Sequence, residues 1–142
     1  MEDKTLAPQH ESLNALSVDE LVQLRHALID DNSTQLLCKL DEHVRDLATS
    51  NSGRAADIFD ALAASDTYDD RDAAAIYIGP LFSTLPDRAE TVLLTLLQDS
   101  DDNIRTTAFE TLEDLVEHDI LTVDDSARLT RVFHTANATS TT

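Results

Sequence analysis

The chain has 142 residues, 28 acids against 10 bases, a formal net charge of −18 and a hydrophobic content of 42%. That length and apolar content suit one globular domain with its own core rather than a disordered segment. The charge repels phosphate backbones and anionic lipid, which excludes a direct nucleic-acid binder or a membrane-surface protein, and two glycines leave no phosphate-cradling loop.

Four Phe, two Tyr and no Trp leave the core to Leu, Ile, Val and Ala. Two Gly and three Pro are too few turn formers for an all-β fold. The single cysteine, Cys38, rules out an intrachain disulfide and fits a reducing, cytoplasmic setting. Residues 1–20 have no basic start followed by an apolar run, and no apolar run approaches the roughly 18 residues needed to cross a bilayer.

Residues 1–16 read as a flexible leader, with Leu13 and Leu16 placed to dock on the first helix. Ser17-Val18-Asp19-Glu20 has the capping-box pattern, and the helix it opens carries Leu21, Leu24 and Leu28 to about Ile29. Asp30-Asp31-Asn32-Ser33 breaks that helix, with Asn32 to Gln35 read as the next cap. The second helix carries Leu37, Leu40, Val44 and Leu47 on one stripe. A turn at Thr49–Gly53 leads to a third helix with Ala55, Ile58 and Leu62. A fourth runs from about Asp70 to Leu85 with Ala74, Ile78 and Leu81, kinked at Gly79-Pro80. Pro86-Asp87 opens the fifth, with Ala89, Val92, Leu93 and Leu96. The sixth spans about Asn103 to His118 with Ile104, Ala108, Leu112 and Leu115. Thr122–Asp125 caps a seventh with Leu129, Val132 and Phe133, and residues 135–142 read as a disordered tail beyond a domain at 17–134.

These elements recur every 34 residues. Leu24, Ile58 and Val92 are one column; Leu28, Leu62 and Leu96 are the next. Leu40, Ala74 and Ala108 follow, then Val44, Ile78 and Leu112, and Leu47, Leu81 and Leu115. Five apolar columns in register mean that one helical hairpin is stacked on copies of itself, since a single hairpin cannot bury its stripe alone.

In the third unit, Leu96-Leu97 ends the first helix, Asp99 to Asp102 form an acidic turn, and Ile104-Arg105 and Ala108 open the second helix. This pattern resembles a HEAT repeat, most clearly over residues 91–118. The second unit keeps Leu62, Asp66 to Asp70, Arg71 and Ala74; in the first, Leu37 stands where the pattern has Arg. A tetratricopeptide-like unit is the competing reading, but this chain lacks that repeat's Trp, Gly and Tyr positions. The resemblance implies an all-α fold: a short right-handed α-solenoid of three helical hairpins plus a terminal capping helix. It also implies that Arg71, Arg105, Asp99 and Asp101 hold the turns together, and that the chain is a non-catalytic adaptor, scaffold or assembly subunit. Partners would bind along the second helices.

The residues opposite the buried stripe of those helices are Lys39, Glu42 and Asp46 in the first unit, Ala73, Ile76 and Pro80 in the second, and Thr107, Glu110 and Asp114 in the third. An apolar centre with an acidic rim is a protein-binding anatomy. Ile76, Tyr77 and Pro80 are the candidate anchor site, and Glu42, Asp46, Glu110 and Asp114 the rim, for a protein partner with a basic or amphipathic surface. The alternative is an acidic mimic of nucleic acid that blocks a DNA- or RNA-binding protein. His43 and His118, each beside a glutamate, lie 75 residues apart, off the 34-residue period, and so read as solvated rather than metal-binding. Cys38 reads as a half-buried, inert thiol. No catalytic constellation, metal site or cofactor is expected, and the assembly is expected to be a monomer or weak homodimer.

Overall fold

The computed structural model describes residues 13–140, and these are helical throughout apart from short connections. The elements are α1 (Val18–Asp30), α2 (Thr34–Ser50), α3 (Ser52–Ala63), α4 (Tyr68–Tyr77), a 3-10 turn (Gly79–Ser83), α5 (Pro86–Leu97), α6 (Asp102–Glu117) and α7 (Val123–Ser140). Among the described residues there is no strand.

Local chemistry sets most boundaries. Ser17 and Glu20 complete both halves of the capping box: Ser17 Oγ accepts from the Glu20 N–H at 3.1 Å, and the Ser17 N–H donates to Glu20 Oε1 at 2.8 Å. Asn51 alone separates α2 from α3, its side chain accepting from the Arg54 N–H, so the expected five-residue turn is a single residue. Asn32 does not cap α2. It adopts a left-handed conformation (φ 57°) after α1, where the Ser33 N–H reaches Leu28 O (2.9 Å) and the Asn32 N–H reaches Ile29 O (3.1 Å). This is a Schellman ending, which Asn tolerates.

Asp119 repeats that ending after α6, with φ 60° and an Ile120 N–H to Leu115 O bond of 2.8 Å. An aspartate there carries both the left-handed penalty and an anion at the negative end of the helix dipole. Asp119→Gly is therefore expected to raise stability by about 1 kcal/mol, read as a higher urea midpoint at unchanged slope; an unchanged or lower midpoint would refute that account.

The fourth helix breaks rather than kinks. Pro80 has no N–H to donate, and its ring clashes with the turn before it, so α4 stops at Tyr77 and the chain passes through the 3-10 turn. Pro86, by contrast, sits in the first turn of α5, where a missing donor costs nothing.

The helices form two layers. α1, α3, α5 and α7 lie side by side in the first; α2, α4 with its 3-10 turn, and α6 lie side by side in the second. Each first-layer helix pairs with the helix that follows it, as α1–α2, α3–α4 and α5–α6, and α7 continues the first layer against α5 and α6. The five apolar columns form the seam between layers. All fifteen positions are buried except Leu24, which is half-buried at the first unit's open side. The column of Leu21, Ala55 and Ala89 is buried as well.

The domain edges differ from expectation. Residues 1–12, most of the expected leader, lie outside the described residues; Leu13, expected to dock on the first helix, is buried in the core, and its carbonyl accepts from Arg54 Nη2 of α3 at 2.9 Å. At the other end α7 runs on through residues 135–140, assigned from the sequence to a disordered tail; only 141–142 lie outside the described residues.

Candidate interaction face

The turns between paired helices carry a ladder of arginines with the same period as the core. Arg71 Nη1 donates to Ser65 O (3.1 Å) and Arg105 Nη1 to Asp99 O (2.6 Å), each reaching back six residues. The turns themselves match: the Thr67 N–H donates to Ser65 Oγ, and the Asp101 N–H to Asp99 Oδ1. Each arginine also reaches the next unit. Arg71 Nε donates to Asp99 Oδ2 at 2.8 Å, and Arg105 Nε to Asn137 Oδ1 on α7 at 2.8 Å. Arg105 is fully buried and also pairs with Asp102. Asp101 caps α6 through the Asn103 N–H. Arg71, Asp99, Asp101 and Arg105 are thus placed to tie turn to turn.

The first unit, with Leu37 in the arginine position, is tied differently, and sequence reasoning missed how. Arg25 on α1 is buried and grips Asp41 of α2 with two bonds, Nε to Oδ1 (2.9 Å) and Nη2 to Oδ2 (3.0 Å). Its Nη1 donates to Asp70 Oδ1 at 2.6 Å, at the start of α4. Asp70, with no exposed surface, also meets His26 Nε2 (2.5 Å) and Ser65 Oγ (2.7 Å). Burial opposes the Arg25 charge, but the bonds and fields of Asp41 and Asp70 outweigh it and hold the guanidinium pKa above its ordinary value. A signal for this network was present in the period. The 34-residue equivalents of Arg25 are Phe59 and Leu93; those of Asp41 are Ala75 and Phe109; those of Asp70 are Leu36 and Ile104. Three charges occupying apolar columns must find one another.

The outward side of the second layer holds the candidate docking residues. Glu42, Ile76 and Glu110 form one column and are all exposed, Ile76 by 49%. Asp46 and Asp114 are exposed, and Pro80, between them in register, is half-buried. Lys39 is exposed, Thr107 is half-buried, and Ala73 is buried, contrary to its expected outward place, because its methyl is small enough to be covered by neighbours. Tyr77 is half-buried and turned toward α2. Burial pushes its phenol pKa up, and the nearby charges of Asp41, Cys38 and Glu42 add to that shift while Arg45 opposes it. The apolar centre is therefore Ile76 with the edges of Tyr77 and Pro80.

The rim is uneven. From Glu110 onward the exposed residues of α6, which are Glu110, Glu113, Asp114 and Glu117, are all acidic, whereas on α2 Glu42 and Asp46 share the surface with Lys39 and Arg45, and Arg45 lies 3.4 Å from Asp46. At the opposite, first-layer side, ion pairs neutralise part of the charge: Arg88 bridges Asp57 and Asp60 of α3, and Arg128 reaches Glu90 of α5 (2.8 Å) and Asp125 on its own helix.

Two smaller expectations are corrected. Cys38 is exposed, because it sits one residue beyond the edge of the buried stripe of α2. His43, read as solvated, is buried on α2; it shares a column with Tyr77 and Thr111, which also lie between second-layer helices. His118 is exposed, with Nδ1 2.8 Å from Asp114 O. Among the described residues no group of three or more His, Cys, Asp or Glu side chains converges as a metal ion would require, and no helix is long and apolar enough to cross a membrane.

Residues 91–119, which comprise most of α5, the acidic turn, α6 and its Schellman ending, match the family model of the HEAT repeat. This stretch is thus similar to a HEAT repeat, a unit that generally serves in protein–protein interaction scaffolds. No curated protein and no solved structure matches the chain.

Proposed function

We propose that this chain is a non-catalytic scaffold that binds a protein partner on the outward face of its second helical layer. The observation that carries this reading is Ile76. In a column whose other members are Glu42 and Glu110, and in a chain of net charge −18, an isoleucine stands 49% exposed at the middle of the layer. Tyr77 and Pro80 widen it, and Asp46 and Asp114 continue the acidic surround. A partner presenting an apolar anchor and basic flanks meets both features: the charges accelerate and orient encounter, and the apolar contact sets the lifetime. The HEAT repeat at 91–119 supports a protein partner as the coarse class.

The test is capture of partners on the purified chain and on Ile76→Asp, washed at low salt and at about 1 M salt, where screening shortens the Debye length to about 3 Å. A partner held at high salt by the parent chain and lost at least tenfold by Ile76→Asp, with helicity by circular dichroism unchanged, supports the face. Equal retention by the variant overturns it. Binding that salt alone strips from both proteins favours the acidic-mimic reading instead, for which the unbroken acidic row on α6 is the motivating feature.

A further inference from the structure

The stack has an unfilled position, and its walls define what fits there. Between α2 and α3 the groove is occupied by α4 and its 3-10 turn; between α4 and α5 it is occupied by α6. Between α6 and α7 no helix of the described residues lies. That groove contains a hollow of about 370 Å³, walled by Phe109, Glu113, Val116 and Glu117 of α6 and Ser126 and Thr130 of α7. Thr130 also opens onto a second hollow of about 570 Å³ bordered by Arg131 and His134.

Phe109 and Val116 are half-buried, although their equivalents one unit earlier, Ala75 and Phe82, are buried. Phe109 is backed by Phe133 in a parallel stack with ring centres 4.4 Å apart. Beyond the end of α6, Ile120 and Val123 are 43% and 77% exposed. An end helix that seals a repeat array presents a polar outer side; this end presents apolar side chains around an open groove.

The earlier units show which side chains enter such a furrow. α6 meets α4 through Thr111, whose Oγ1 donates to Ala75 O at 2.6 Å, and the 3-10 turn through Leu115, 3.7 Å from the place a Cβ on Gly79 would occupy. With buried Ala108 these make a stripe at i, i+3 and i+7, and Ala74 and Tyr77 of α4 with Leu81 of the 3-10 turn hold the same register positions. We infer that the α6–α7 groove receives one amphipathic helix of a partner protein as the second-layer helix of a fourth unit. That helix presents small or apolar residues at i, i+3 and i+7, with Lys or Arg on the flank toward Glu113 and Glu117. The charge of those two acids selects the partner: an acidic helix like α6 itself would be repelled, so a second copy of this chain is a poor occupant.

The probe is a fluorescent peptide of residues 102–117 carrying Glu110→Lys, Glu113→Lys, Asp114→Lys and Glu117→Lys, titrated with the full chain and followed by anisotropy. Saturable binding is expected, weakened at least tenfold by Thr130→Arg, which fills the furrow, and abolished when the peptide also carries Ala108→Asp and Leu115→Asp. Glu113→Lys with Glu117→Lys in the chain, both exposed and harmless to folding, is expected to weaken it similarly. Ile76→Asp leaves peptide binding unchanged, which separates this site from the outward face. Absence of saturable binding, equal binding by Thr130→Arg and by the charge-reversed chain, or a concentration-dependent dimer in sedimentation that Thr130→Arg dissociates, would overturn the inference, the last by naming a second copy as the occupant.

Discussion

Replacing Arg25 by methionine is expected to destabilise the protein by about 3–5 kcal/mol, the range for removing one partner from a buried ion network. Methionine keeps much of the side-chain volume, so the loss is electrostatic rather than a cavity. Without the guanidinium, Asp41 loses both of its bonds to Arg25 and Asp70 loses its 2.6 Å bond, and both carboxylates remain out of water. His26 and Ser65 compensate Asp70 alone. The same geometry predicts the opposite result for a triple change. Arg25→Leu, Asp41→Ala and Asp70→Ile installs residue types that the period places at equivalent positions: Leu93, Ala75 and Ile104. With every charge of the pair network gone, the triple variant is expected within about 1 kcal/mol of the parent or above it, because apolar replacement of a whole buried ion cluster is commonly neutral or stabilising. Urea denaturation of the two variants decides the matter. A single variant that loses under about 1 kcal/mol would mean the network contributes little, and a triple variant as unstable as the single one would mean the columns are not equivalent.

Truncation along one column tests the stack itself. Ile58→Ala is expected to cost about 2–5 kcal/mol, the range for deleting a buried branched side chain. Leu24→Ala, in the same column one unit earlier, is expected to cost less than half as much. Ile58 has helices on both sides within its layer and no exposed surface, while Leu24 faces α3 on one side only and is half-buried. In a linear array each unit is stabilised by its own core and by nearest-neighbour interfaces, so position along the row, not residue type, sets the cost. Equal losses at the two sites would argue for a bundle in which every helix is surrounded alike.

Both proposed binding regions follow from departures from the average unit. The outward face is defined by Ile76 standing between glutamates in its column, and the end groove by Phe109 and Val116 remaining half-covered. Neither feature helps the array to fold: an exposed isoleucine and an unsealed apolar end gain nothing from their present surroundings.

The period of 34 residues was enough to establish the helices, their pairing and the fifteen seam positions, fourteen of them buried, because stacking places equivalent residues in equivalent surroundings. The acidic turn with Arg105 and Ala108 was legible for the same reason, and the outward column of Glu42, Ile76 and Glu110 followed from helical geometry alone. What escaped were features that depend on contacts between elements distant in the chain. Arg25 meets Asp70 across 45 residues, and no local pattern announces that. Pro80 stops a helix outright because a 3-10 turn could pack against α5 and α2 in place of the missing turn. Asn32 ends one helix instead of starting the next, since Leu28 and Ile29 offer the carbonyls. Residues 135–140 stay helical although they carry no apolar stripe, because α7 is held by α5 and α6 and by the Arg105–Asn137 bond, contacts that exist only once the stack has formed.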